Sequence, residues 1–381
     1  MEKFFSIILS LVLFLYIEIL MVSRLNSEIV KTLISWQKKE ARNFPWRTQG
    51  LRDPYKVWIC EIMSQQSTMT MMLPFYKKWM KVFPDLDSLS KASEQDVVSL
   101  WQGLGYYSRA RNILKTANIL KDDYKGVWPQ SSLELKKFPG IGDYTAKAIA
   151  AFCFDEKSIP IDGNVVRVMS RVFSVKDALN NSSDKKKLLN KTVQLEASLK
   201  KGQSGILAEA LMDLGSGHCH SKKEPQCHLC PLGKKSLCAL KNNDLCFTKF
   251  PLPKKRAEKI VISRLMLFYY RDKTRQHILL RQRPKGARKL AGFWEAPYID
   301  FQGPWVRSFQ DRLSDSFEFL EAKPIKHGIT RYQYNIKSIN AGVWRGKCPE
   351  SHCFVSLKDI DLVQPISTQS LKVLENTRIF S

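Results

Sequence analysis

The sequence predicts a multidomain chain, an all-α region followed by a smaller α+β region. Three observations carry that expectation. Between residues 28 and 217 apolar residues recur at helical spacing, with proline and capping signals where segments begin. A polar, basic, proline-punctuated stretch at 241–259 then interrupts the pattern and reads as a linker. From Ile260 the pattern turns strand-like, in Ile260–Tyr270, Ile278–Arg283 and Gly292–Pro297. A chain of 381 residues is long enough for two or three domains, and a hydrophobic content of 44% supplies their cores.

Charge points to the partner. Lys and Arg number 61 against 36 Asp and Glu, a net charge of +25 spread through the chain. That imbalance suits a polyanion, nucleic acid before an anionic membrane. The odd number of cysteines, nine with five inside residues 219–246, does not resemble a secreted disulfide framework and fits a reducing compartment and a metal site.

Phe4 to Val22 is apolar apart from Ser6, Ser10 and Glu18. Its length fits a membrane helix or a signal-peptide core, but Glu18 would be costly in hydrocarbon and no small-x-small cleavage site follows. Residues 1–22 are therefore expected to be an upstream extension with the true start at Met21. A tether through residues 4–22 is the second reading.

Glu28 to Lys38 carries Ile29, Leu33 and Trp36 on one helical face, and Phe44-Pro-Trp46-Arg47 ends it. Asp53-Pro54 begins the next helix, Asp capping the free N–H groups and Pro suiting the first turn. On that helix Glu61 lies among Val57, Trp58 and Ile62. An apolar setting disfavours the charged carboxylate, raises its pKa and makes it a proton donor near neutrality. Gln65 and Gln66 follow. Leu100 to Asn112 is a glycine turn entering a helix, with an aromatic tip at Tyr106 and cations at Arg109 and Arg111, as an intercalating, phosphate-holding loop requires.

Leu135-Lys-Lys-Phe-Pro139-Gly140-Ile-Gly142-Asp143-Tyr144 is a second tight turn, with a helix expected from about Asp143. Its free N–H groups suit a phosphate. Ile159-Pro-Ile-Asp162-Gly-Asn164 supplies another carboxylate at a turn, and Glu209 sits in Ala208-Glu-Ala-Leu-Met-Asp-Leu-Gly215. Cys219, Cys227, Cys230 and Cys238 are separated by seven, two and seven residues. Four thiolates on a short loop suit an iron–sulfur cluster or tetrahedral zinc, with His218, His220 and His228 keeping zinc in view and Cys246 an alternative fourth ligand.

Taken in this order, these elements resemble the helix-hairpin-helix DNA glycosylases, specifically the MutY-type adenine glycosylases, strongly over Arg24–Cys246 and weakly beyond. The resemblance implies a helix-hairpin-helix glycosylase domain at 23–240 with a 4Fe–4S cluster on Cys219, Cys227, Cys230 and Cys238. It implies a linker at 241–259 and a Nudix-like 8-oxoguanine recognition domain at 260–381. The implied activity is a monofunctional glycosylase that removes adenine mispaired with 8-oxoguanine or guanine in base excision repair. Glu61 and Asp162 would be its catalytic carboxylates, helped by Tyr144 and Asn164. Trp46, Arg47, Gln65, Gln66, Tyr106 and Glu209 would contact the mispair, and Gly140, Gly142, Arg109 and Arg111 the phosphates.

Tyr144 stands where the related strand-cleaving enzymes carry a lysine, and a phenol forms no imine. Lys147, one turn on, points elsewhere and would give only weak lyase activity. The family's Phe-Ser-His loop corresponds to Ile329-Thr330-Arg331 in His327–Tyr332, so Thr330 keeps the hydroxyl and Arg331 replaces the imidazole. The glutamate-rich Nudix signature is missing, and diphosphate hydrolysis is not expected. The expected partner is duplex DNA bearing A·8-oxoguanine or A·G, bound by a monomer in the bacterial cytoplasm beside the nucleoid. The alternatives are an endonuclease III-like thymine or damaged-pyrimidine glycosylase, and a DNA-binding module with impaired catalysis.

Overall fold

The computed structural model describes residues 2–47, 52–65, 67–254, 258–284, 286–287, 290–303, 318–320, 324–329, 331–362 and 365–376. Gln66 and Thr330, both expected at the substrate, lie outside this set. The chain divides into two compact units, Met1–Lys91 with Asn112–Lys255, and Ala92–Arg111 with Arg256–Ser381.

The first unit is helical. It holds α1 (Glu2–Glu40), α2 (Pro54–Ser64), α3 (Met69–Val82) and α4 (Leu86–Ser90); α5 (Glu94–Leu100) falls in the second unit, and α6 (Ser108–Asp122) begins there and ends in the first. The first unit continues through α7 (Ser132–Leu135), α8 (Asp143–Phe154), α9 (Gly163–Val172), α10 (Ser182–Ala197), α11 (Ser204–Gly217), α12 (Pro231–Lys234) and α13 (Ala239–Asn242). The predicted helix at 28–38 is part of the much longer α1. Among the described residues no helix is long and apolar enough to cross a membrane.

The helix starts follow the cap chemistry. Asp53 accepts from the Tyr55 amide at 2.9 Å with Pro54 in the first turn, and Asp162 accepts from the Val165 amide at 2.7 Å. What the sequence presented as a turn at Asp162-Gly163 is thus a helix N-cap. Val165, Val168, Met169 and Val172 recur at the 3,4 spacing of one face of α9 and are buried against Leu207, Leu211 and Leu214 of α11.

Two glycines permit close approaches. Gly140 in the α7–α8 turn has φ +78°, and a Cβ there would stand 2.8 Å from the Asn112 Cβ on α6. A Cβ on Gly215 of α11 would meet the Asn164 Cβ at 2.6 Å, so α11 crosses directly beside Asp162 and Asn164.

The second unit is a mixed α+β domain. Strand β1 (Ile260–Tyr270) runs antiparallel to β2 (His277–Gln282). β2 also pairs with β3 (Trp294–Glu295), and β1 with β4 (Tyr298–Gln302). After β5 (Glu318–Phe319) and β6 (Ile325–Ile329), the long β7 (Tyr332–Val343) returns parallel to β1 from Ile260↔Tyr332 to Tyr270↔Val343. β8 (His352–Ser356) pairs with β2, and Val373 and Leu374 of α14 (Thr368–Asn376) join the core of Phe268, Ile278, Leu280 and Ile336. Arg264 is buried here with its guanidinium 3.4 Å from the Tyr298 ring centroid and 4.7 Å from that of Tyr334, paired to Asp300.

Among the described residues the fold shows no iron–sulfur loop. Residues 219–238 are tied into the helical core through cysteines that serve as packing groups, as set out below.

Gly140→Ala should lower stability by about 1–2 kcal/mol, since it adds a positive-φ penalty to a steric clash. Urea unfolding, with Gly142→Ala as the uncrowded control, measures the difference.

Candidate active site

Four helices of the first unit and one connecting segment bring the site together. Helix α2 presents Glu61, only 8% exposed, toward Tyr144 in the first turn of α8 and Asp162 at the N-cap of α9. Burial raises the Glu61 carboxyl from an ordinary 4.5 to about 7. The Tyr144 hydroxyl, donating to it, opposes the rise, the charge of Asp162 adds to it, Arg47 lowers it and Glu209 raises it. Tyr144 is itself held well above its ordinary value, first by burial and then by the negative charges of Glu61 and Asp162. The two predicted catalytic carboxylates therefore lie close enough for the charge of Asp162 to act on Glu61.

Asp162 is oriented on both oxygens. Oδ1 accepts from the Val165 amide at 2.7 Å and Oδ2 from the Asn164 Nδ2 at 2.8 Å. The Asn164 Oδ1 accepts from Arg167 Nη2 at 2.8 Å, and the same nitrogen donates to the Gly215 carbonyl at 2.7 Å. Since a guanidinium only donates, this contact turns the Asn164 amide group toward Asp162.

Helix α11 contributes Glu209 and, one turn on, Asp213, both buried. The segment between α1 and α2 meets them with arginines. Arg47 Nη1 and Nη2 grip the two Asp213 oxygens at 2.6 and 3.0 Å, and its Nε lies 2.9 Å from Glu209 Oε1. Arg42 and Gln37 Nε2 also donate to Asp213, while Arg52 Nη1 donates to Glu209 Oε1 at 2.7 Å. Burial pushes Asp213 up, but the Arg47 and Arg42 bonds outweigh it and leave its pKa below the ordinary carboxylate range. Arg52 and Asp213 were not anticipated. The signals available were an arginine directly before the Asp53-Pro54 cap and an acid four residues after Glu209.

Other expected residues are placed differently. Trp46 is buried, stacked on Phe44 at 4.9 Å and edge-on to Tyr76 at 5.1 Å, so it packs as core. Gln65 Nε2 reaches Thr145 Oγ1 at 3.4 Å. Gly142 caps α8 at the exposed end of the turn, and Lys147 faces Asp143 at 3.8 Å.

In the second unit Tyr106 is 46% exposed with φ 49°, a projecting tip. Arg109, by contrast, turns inward and donates to the Leu104 carbonyl at 3.0 Å, and Arg111 is engaged by Glu94 at 2.7 Å and by the Ala291 carbonyl at 2.6 Å. Arg331 is exposed beside the Tyr332 ring at 5.4 Å.

The expected 4Fe–4S cluster is corrected. Among the described residues, which include all nine cysteines, no group of three or more His, Cys, Asp or Glu side chains converges to hold a metal ion. The sulfurs have other partners. Cys219 Sγ accepts from Arg171 Nη1 at 3.2 Å, and Cys238 Sγ donates to the Arg171 carbonyl at 3.5 Å. Burial raises Cys227 and Cys238 and pushes Cys230 up to about 11. Cys246, the alternative ligand, is exposed and bonded to Thr248. Iron–sulfur and metal-binding assignments are withdrawn together.

The turn that leads into α8, the buried acid on α2 and the capping aspartate on α9 lie within one stretch of the chain. The family model for HhH-GPD superfamily base excision DNA repair proteins matches residues 59–194, which span all three. An adenine DNA glycosylase of Buchnera aphidicola subsp. Baizongia pistaciae is 38% identical over 267 residues, 70% of this chain and 71% of that protein. One from Buchnera aphidicola subsp. Acyrthosiphon pisum is 34% identical, covering 65% and 70%. The chain belongs to the family of these adenine DNA glycosylases. The fold of a thermostable thymine-DNA glycosylase is also similar, with a TM-score of 0.50 and 24% identity over 58% of this chain and 98% of the other.

Because the folded pKa of Glu61 lies above its unfolded value, the folded state binds the extra proton between the two. Stability from this group is complete below about pH 4.5 and is lost as pH rises through about 7. Glu61→Gln should therefore match the wild type near pH 4 and exceed it by about 3 kcal/mol near pH 8, as read by denaturant unfolding at both pH values.

Proposed function

We propose that this protein is a monofunctional adenine DNA glycosylase acting on adenine opposite 8-oxoguanine or guanine. The observation that carries the reading is Glu61, a buried acid with its pKa raised to about 7, hydrogen-bonded by Tyr144 and within reach of the charge of Asp162. The base must leave the duplex first, a step costing a few kcal/mol and less at a mispair. Glu61 then protonates a ring nitrogen of the flipped adenine, converting a poor leaving group into a neutral one. As the glycosidic bond breaks, positive charge grows on the deoxyribose, and the Asp162 carboxylate, fixed by Val165 and Asn164, stabilises it. Glu61, now ionised, accepts the proton of the attacking water. Tyr144 supports Glu61 and offers no amine for a Schiff base, so the product is an intact strand with an abasic site.

Glu209 is an acceptor for the exocyclic amine of adenine, and Arg47 supports it. The turn at Gly140 and Gly142 is the proposed phosphate contact of the first unit, and the exposed Tyr106 is the proposed stacking side chain of the second. The second unit is proposed as a Nudix-like domain that meets the opposite base, with Arg331 at the substituted loop. The names of the relatives and the chain's net charge of +25 support a DNA substrate.

A duplex panel containing A·8-oxoguanine, A·G and T·G tests this reading. Adenine should be released from the first two, giving strand breaks only after alkali. Glu61→Gln should cut single-turnover release by at least about 10²-fold, and the wild-type rate should fall as pH rises through about 7, where the proton donor is lost. Release of thymine without adenine, or full activity in Glu61→Gln, overturns it.

A further inference from the structure

Both cationic contacts to Glu209 fall on a single oxygen. Arg52 Nη1 donates to Oε1 at 2.7 Å, and Arg47 Nε stands 2.9 Å from the same atom. Among the described residues no group hydrogen-bonds Oε2, although the side chain is only 8% exposed. The two arginines are not equivalent. Arg47 is committed through both terminal nitrogens to Asp213, whereas the hydrogen bond of Arg52 in the site goes to Glu209 alone. Arg52 is also held in direction, its guanidinium 5.3 Å from the Phe152 ring of α8 and its backbone directly before the Asp53 cap of α2. A carboxylate pinned at one oxygen by a charge-assisted bond cannot swing, so its other oxygen keeps one heading.

We propose that Arg52 is a positioning residue for base selection, pinning Glu209 by Oε1 so that Oε2 demands a hydrogen-bond donor from the flipped base. This rests on the adenine glycosylase reading and deepens it. An ionised carboxylate only accepts. A 6-amino group satisfies Oε2, unsubstituted purine leaves it without a partner, and the 6-oxo group of hypoxanthine sets acceptor against acceptor. Sites built around a buried acceptor reject ligands lacking the donor far more strongly than apolar pockets reject a missing methylene.

The test measures single-turnover release of adenine, unsubstituted purine and hypoxanthine from otherwise identical duplexes opposite guanine, by wild type, Arg52→Gln and Arg52→Lys. Wild type should favour adenine, and Arg52→Gln should lower the adenine-to-purine ratio by about tenfold or more. Arg52→Lys, which keeps the charge but not the planar fork, should lie between. A ratio that survives Arg52→Gln overturns the proposal, even if all three rates fall together, because Arg52 then only supports the fold. Should Arg52→Gln be inactive or unfolded, Arg52→Lys decides, a lowered ratio supporting the role and a wild-type ratio overturning it. A wild type that releases no adenine overturns the proposed function and this inference with it. Adenine release with an unchanged ratio overturns Arg52 alone.

Discussion

The site depends on keeping one carboxyl out of water. Glu61 is carried by a helix whose neighbouring residues, Trp58, Ile59, Cys60, Ile62 and Met63, are all at most 2% exposed, and burial is the largest influence on its proton. An isolated charge there would be costly, so burial raises the pKa to about 7 while a nearby hydroxyl and arginine moderate the penalty. That condition turns an ordinary glutamate into an acid usable at neutral pH. Asp162 contributes differently. It is an N-cap, held by a backbone amide and a side-chain amide, which fix the direction of both oxygens. Two carboxyl groups within reach of each other's charge are thereby given different surroundings, one buried among apolar side chains and one at a helix N-terminus.

The surrounding packing serves this arrangement. α8 is rich in small residues, with Ala146, Ala148, Ala150 and Ala151 all buried, which lets α2 and α11 pack closely on it. Gly215 removes the last steric obstacle between α11 and α9. The arginine segment before α2 then meets two buried acids that lie one turn apart on α11. Buried ion pairs of this kind stabilise little in total, yet losing one partner leaves a charge stranded, so the network is a strong constraint on geometry.

Local signals in the sequence reached surprisingly far, and they failed where chemistry depends on distant residues. Asp53-Pro54 and the glycine turn at 140 each name their own structure because cap and turn preferences act over three or four residues, whereas Asp162-Gly163 carries a turn signal and is an N-cap. Glu61 was legible for the same reason, its apolar neighbours being helical neighbours. Arg52 and Asp213 were not, since their partners lie 157 and 166 to 176 residues away and no local pattern announces the pairing. The cysteine reading failed for a related reason. Spacing puts four sulfurs on one stretch of chain, but where each points is set by Arg171, which receives Cys238 on its carbonyl and gives its guanidinium to Cys219. Arg109 shows the same limit, a cation expected to face phosphate that instead holds the carbonyls of its own turn.

The most direct test of the account is a site-specific titration of the carboxyl at position 61. Difference spectra between wild type and Glu61→Gln, both labelled with carboxyl-¹³C glutamate, isolate that one resonance across pH 3 to 9. An apparent pKa near 7 is the predicted result. A midpoint at the ordinary 4.5 would mean the group is solvated and ionised at neutrality, and the proton-donor role at the centre of this account would be wrong.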